Sequence, residues 1–212
     1  FDEARGRYVL LKENAVKLLA GRVRTPLVNR SQMGRTAPQA LEVMEKSDER
    51  FDEALVVLEF GGNDCDFNWA EVADDPESAH ICHTPDARFT QTLTALVKLV
   101  REKGGFPVLT TIPPLDPHRY LGWITRNGLS RENILKFIGQ PERIYRWQEY
   151  YSSLALRMAS ALGCACLPIR EAFLETVRGE DVLCRDGIHP NAQGHLIIAD
   201  AAADVLGCLS PV

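Results

Sequence analysis

The chain has 212 residues, of which 45% are hydrophobic and 25% charged, and a formal net charge of -5. That suits one domain of roughly 100–200 residues with a sizeable core. The mildly acidic balance and scattered basic residues argue against nucleic acid or an anionic membrane as a partner, and no apolar run approaches the roughly 20 residues that span a bilayer.

The pattern along the chain alternates short β-type runs with longer helical ones. Residues 2–20 read as a helix. Thr25–Asn29 follows as a short strand candidate. Thr36 with Gln39 has the spacing of a capping box and opens a helix through Met44. Ala54–Phe60 is almost continuously apolar and rich in branched residues, as in a strand buried on both faces of a parallel sheet. Trp69 and the acidic stretch from Glu71 to Glu77 read as a surface element.

Thr84-Pro85-Asp86 has the form of a helix start. Behind it Phe89, Leu93, Leu96, Val97 and Val100 make one apolar stripe. Phe106–Ile112 is a second buried strand, ended by Pro113 and Pro114. Residues 116–147 form a long excursion holding Tyr120, Trp123, Phe137, Tyr145 and Trp147. It fits either a helical flap beside a site or a satellite helical layer with its own small core. A helix over 141–162, a strand over Gly163–Ile169 and a last helix from Asn191 to Leu206 complete the series. Strands alternating with helices predict an α/β domain with a parallel sheet.

The six cysteines, Cys65, Cys82, Cys164, Cys166, Cys184 and Cys208, are too sparse for a small disulfide scaffold and suit a reducing, cytoplasmic setting. His80, Cys82 and His83 carry zinc-type donors. Three within four residues and no second cluster make poor tetrahedral spacing.

Three segments carry chemistry, and all fall where an open α/β sheet binds ligands, beyond the carboxyl ends of its strands. The first is Asp186-Gly187-Ile188-His189-Pro190-Asn191. Asp-x-x-His can put a carboxylate and an imidazole in one loop, His189 as general base and Asp186 as its orienting partner. A Gly/Pro turn with an incidental histidine fits the same tetrad. The second is Phe60-Gly61-Gly62-Asn63-Asp64. The glycines allow a sharp turn, and the Asn63 amide can serve an oxyanion, although Gly, Asn and Asp are also ordinary strand-ending residues. The third is Val28–Thr36, where Gly34 precedes a helix and can offer its N–H to an anion. Asp64 and Asp66 could form an acid pair, but Asp64 suits bracing of the turn better. His195, in the last helix, fits either packing or the site.

Together the three segments resemble the SGNH hydrolase superfamily, the GDSL-like esterases and lipases. Gly34, Gly61-Gly62-Asn63-Asp64 and Asp186-x-x-His189 match its second, third and fifth blocks. The resemblance implies a three-layer α/β/α flavodoxin-like sandwich with a parallel sheet, here a single domain over residues 1–212. It implies a carboxylic ester hydrolase working through an acyl-enzyme on a small ester substrate, with His189 and Asp186 catalytic, Gly34 and Asn63 in the oxyanion hole, and no metal or organic cofactor.

The family's nucleophile lies in a Gly-Asp-Ser loop after the first strand, and no Gly-Asp-Ser occurs in this chain. The expectation is that roughly 10–30 residues carrying that strand and loop precede Phe1. Ser31, near Gly34, is the one substitute within the sequence. A non-catalytic binding module that kept the fold and lost its nucleophile is the alternative.

Overall fold

The computed structural model describes residues 8–9, 11–176 and 181–209. In chain order the helices and strands are α1 (Ala15–Ala20), α2 (Ala37–Glu45), β1 (Leu55–Leu58), α3 (Gly62–Cys65), α4 (Trp69–Asp74), α5 (Asp86–Glu102), β2 (Phe106–Thr110), α6 (Pro117–Thr125), α7 (Arg131–Ile138), α8 (Glu142–Leu162), β3 (Ala165–Leu167), α9 (Ile169–Glu175) and α10 (Ala192–Leu209).

The three strands pair in parallel in the order β1-β2-β3, with Val57 opposite Val108 and Leu109 opposite Cys166. Side chains alternate between the two faces of a strand. Leu58, Leu109 and Cys166 therefore join one apolar cluster with Ala37 of α2, Phe89, Leu93, Leu96 and Val100 of α5, and Leu154 and Ala155 of α8. Leu55, Val108, Ala165 and Leu167 point the other way, onto Leu19 of α1, Phe173 of α9 and Ala199 and Leu206 of α10. The result is three layers, α/β/α, with a parallel sheet in the middle.

A third cluster lies off the sheet. Leu121 of α6, Ile134 and Ile138 of α7, Trp69 and Val72 of α4 and Ile144 of α8 pack together. The excursion over residues 116–147 is thus a satellite helical layer with its own core. Trp69, expected on the surface, is buried in it; its indole Nε1 donates to Asp66 Oδ1 at 2.8 Å. The local acidic composition hid a helix whose inner face is Trp69, Val72 and Ala73.

Two further expectations change. Thr25–Asn29 forms no strand, and Val28 is exposed. A strand exists only through a neighbour's hydrogen bonds, and the outer edge of β1 is unpaired among the described residues. Of the helix expected over 2–20, residues 2–7 and 10 lie outside the described residues, and the helix begins only at Ala15. Asn14 starts it by capping, its side chain accepting the Lys17 N–H at 3.1 Å.

The starts of α2 and α10 follow the sequence closely, whereas the cap position of α5 falls on Pro85 with no side-chain cap bond, so Thr84 does not cap that helix. Gln39 Oε1 accepts the Thr36 N–H at 3.0 Å. Asn191 Oδ1 accepts the N–H groups of Gln193 and Gly194 at 2.9 and 3.1 Å. Gly163, left-handed at φ 60°, ends α8 and shortens the third strand to Ala165–Leu167. No helix among the described residues is long and apolar enough to cross a membrane.

If the satellite layer is load-sharing, Ile134→Ala will lower unfolding free energy by about 2–5 kcal/mol, the usual cost of such a cavity. Urea unfolding curves measure this; a loss near zero would mean the layer rides on the domain as a loose flap.

Candidate active site

The turn after β1 is built around one carboxylate. Gly61 sits at φ 128°, a conformation that side-chain-bearing residues avoid, and the chain then makes the single turn α3. Asp64 is fully buried beneath it. Its Oδ2 accepts the Gly61 N–H at 3.1 Å, and its Oδ1 accepts the Ala37 N–H, at the start of α2, at 2.9 Å. Burial pushes the Asp64 carboxyl up, against these hydrogen bonds. Asn63 stays exposed, and its amide donates to the Arg35 carbonyl at 3.4 Å. Gly34 (φ 75°) is next to Arg35, so the structure brings the Gly34 loop and Asn63 together.

The second half of the site is a single loop. An isolated bridge between Leu183 and Pro190 closes it, and the Cys184 N–H donates to the His189 carbonyl at 2.7 Å. Gly187, at φ 77°, presses on α6: a Cβ there would come within 2.7 Å of Arg119 Cβ and 2.9 Å of the Asp116 carbonyl. The Asp116 N–H donates to the Gly187 carbonyl at 2.8 Å. Arg119 braces the arrangement through ion pairs to Asp116 and Asp181.

Inside this loop Asp186 is 1% exposed. Its Oδ1 accepts the N–H groups of Ile188 and His189, both at 3.0 Å, and its Oδ2 lies 2.9 Å from His189 Nδ1. Burial pushes the Asp186 carboxyl up, but the His189 ring and the two backbone N–H groups outweigh it and hold it at about 2. An ionised carboxylate only accepts, so His189 Nδ1 carries the proton and Nε2 presents its lone pair. The His189 side chain keeps 41% of its surface exposed, and no hydroxyl or thiol among the described residues hydrogen-bonds Nε2.

Two residues that the sequence did not single out belong to this region. Glu59, the residue after β1, is exposed, and its carboxyl is raised by partial desolvation and then by the Asp64 charge and lowered by His189, so it feels both halves of the site. Tyr8 packs its ring against His189, with centroids 4.8 Å apart. Neither carries a local motif; both arrive through tertiary proximity.

The other candidates are placed elsewhere. The Ser31 hydroxyl donates to Asn29 Oδ1 at 2.6 Å and meets no imidazole. His80 Nε2 donates to the Asp75 carbonyl, His83 Nδ1 donates to the Asn63 carbonyl, and the Cys82 thiol meets the Tyr151 hydroxyl, so the three zinc-type donors point to separate partners. Asp66 accepts from Trp69 and, at 2.7 Å, from the Tyr120 hydroxyl, and does not pair with Asp64. His195 Nδ1 accepts the Ala15 N–H at 3.2 Å, tying α10 to the start of α1; burial, then the nearby His189, lowers its pKa.

The depressed pKa of Asp186 makes a stability prediction. A carboxyl held at about 2 contributes stability that is complete above its unfolded value of about 3.9 and is lost as pH falls towards the folded one; the gap amounts to about 2 kcal/mol. Thermal melts between pH 2 and pH 6 will therefore fall less steeply with acid in Asp186→Asn than in the parent. Parallel curves would mean the carboxylate is not so held.

The sequence matches the GDSL-like Lipase/Acylhydrolase family over residues 11–197. Solved structures with the same fold include an α/β hydrolase enzyme from the metagenome of Lake Arreo, Spain (23% identity, TM-score 0.67, covering 99% of this chain and 90% of that one). A member of the lipolytic G-D-S-L family from Veillonella parvula DSM 2008 is 12% identical (TM-score 0.65, 96% and 92% covered). An acetylxylan esterase from Geobacillus stearothermophilus is 18% identical (TM-score 0.65, 92% and 81% covered). No curated protein sequence matches the chain. With the motif blocks in family order on a parallel α/β/α sheet, and the family match running through most of its length, the chain belongs to the GDSL-like lipase/acylhydrolase family.

Proposed function

We propose that the protein hydrolyses carboxylic esters through an acyl-enzyme, with His189 as general base and acid, Asp186 as its orienting carboxylate, and Gly34 and Asn63 as oxyanion donors. The observation that carries this reading is the buried, ionised Asp186 bonded to His189 Nδ1, which leaves Nε2 basic and open. In the Geobacillus esterase, a serine-to-alanine and a histidine-to-alanine variant are each described as catalytic mutants, which supports a serine–histidine chemistry here.

The serine belongs, in this reading, to a strand and loop preceding residue 1, part of the same domain. The outer edge of β1 has no partner among the described residues, and Val57 of that strand is exposed. A strand paired to β1 would satisfy that edge and deliver its following loop to the carboxyl end of the sheet. The serine hydroxyl attacks the ester carbonyl while its proton passes to His189 Nε2. The carbonyl oxygen, now an oxyanion, takes the Gly34 N–H, the Asn63 amide and the serine's own N–H, each donor lowering the barrier by roughly 3 kcal/mol. His189 returns the proton to the leaving alcohol. Water, deprotonated by the same Nε2, then releases the acid and restores the serine.

A fluorophosphonate probe followed by intact-mass measurement on the natural full-length protein tests the proposal. One covalent adduct on a serine upstream of this chain, absent in His189→Ala, is the expected result. No adduct on a folded protein would overturn it and favour an ester-binding module. In the active protein Asn63→Ala should lower kcat roughly 10²–10³-fold with KM nearly unchanged. A rise in KM at constant kcat would make Asn63 a substrate-binding group.

A further inference from the structure

Arg119 and Tyr120 are neighbours near the start of α6, and neither lies in the three segments that carry the family resemblance. Successive helical residues point about 100° apart, so the two side chains reach different partners. The Arg119 guanidinium donates from Nε to Asp116 Oδ2 at 2.9 Å, and from Nη1 and Nη2 to the two Asp181 carboxylate oxygens at 2.9 and 3.0 Å. It thereby grips the start of the histidine loop, where Asp181 Oδ1 also accepts the Leu183 N–H at 3.2 Å. The Tyr120 hydroxyl donates to Asp66 Oδ2 at 2.7 Å, and the Trp69 indole donates to Asp66 Oδ1 at 2.8 Å. Asp66 directly follows α3, the turn that carries Asn63. His83 closes the same turn: its backbone N–H donates to the Asp66 carbonyl and its Nδ1 to the Asn63 carbonyl, both at 2.9 Å. We propose that α6 is the spacer between the two halves of the site, with Tyr120 a positioning residue for Asn63 through Asp66, and Arg119 a positioning residue for His189 through Asp116 and Asp181.

The proposal rests on His189 and Asn63 both serving the ester reaction. The two lie far apart in sequence, yet a base and an oxyanion donor that act on one carbonyl must keep a fixed separation, since a misplacement of about 1 Å costs roughly 10²-fold in rate. Tyr120 is buried, and its ring packs edge-on to Trp69, with centroids 6.4 Å apart and planes at 78°, so its hydroxyl has a fixed aim. Burial, then the Asp66 charge, pushes the Tyr120 phenol well up, so it stays a protonated donor at neutral pH. On the other side the arginine fork takes both oxygens of Asp181, a geometry that a lysine ammonium does not reproduce. The helix backbone itself touches the histidine loop: a Cβ at Gly187 would lie 3.0 Å from the Tyr120 nitrogen. One short stretch of α6 thus holds Asp66 with one residue and the histidine loop with its neighbour.

Tyr120→Phe keeps the ring and deletes the donor to Asp66; Arg119→Lys keeps the charge and deletes the fork. The test pairs steady-state kinetics on a short-chain nitrophenyl ester with NMR of the His189 ring Nδ1–H and the Asn63 side-chain amide, in the natural full-length protein. Tyr120→Phe should lower kcat roughly tenfold, the weight of one net hydrogen bond, with KM within about twofold. Arg119→Lys should act in the same sense. The decisive signals are crossed. Tyr120→Phe, which touches the Asp66 end, should shift the His189 ring signal, and Arg119→Lys, which touches the histidine loop, should shift the Asn63 amide signals. Absence of either crossed shift would overturn the proposal whatever kcat does, reducing the two contacts to local packing. Wild-type kcat in both variants of an active parent would overturn it as well. The NMR signals read the spacing in a protein with no turnover too, so a failed triad and a failed spacer give different results.

Discussion

The Asp64 carboxylate receives the Gly61 N–H on one oxygen and the Ala37 N–H on the other, and the placement of the half of the candidate site that holds Gly34 and Asn63 depends on it. Gly61 belongs to the turn after β1, and Ala37 opens α2. One buried side chain therefore joins a strand end to a helix start 24 positions away in sequence. The Thr84 N–H adds a third tie, to the Asp64 backbone carbonyl at 2.9 Å. An ion is expensive to bury, but two oriented N–H groups and the positive end of a helix offset much of that cost. With this tie in place Asn63 reaches the Arg35 carbonyl, and the Gly34 loop and the Asn63 amide lie together on one surface.

The imidazole half depends on a different logic. Asp186 and His189 sit three residues apart, and the loop between them folds on itself through bonds to the same carboxylate. Its geometry is local, and it was legible in the sequence for that reason. The same holds for Asn63 and Asp64 in their turn, for the Asn191 cap, and for α5, whose apolar stripe at helical spacing is the stripe it buries. The two long buried runs, Ala54–Phe60 and Phe106–Ile112, declared the parallel sheet because their apolar residues serve two faces at once.

What the sequence left hidden shares one property: it is defined by a partner distant along the chain. Thr25–Asn29 has a strand's composition, but pairing decides whether it is a strand. Trp69 sits among acidic residues, yet Tyr120 and α7, from the excursion, bury it. Asn14 has a capping side chain, and the longer helical pattern around it masked the break. Tyr8 and Glu59 matter to the site only through a ring contact and through charge, respectively. Neither leaves a mark in residue spacing.

Gly187 is wedged against Arg119 and the Asp116 carbonyl, and Asp116 donates back to it. The first turn of α6 is thus fused to the loop that holds Asp186 and His189, and a displacement of that turn would carry the pair with it.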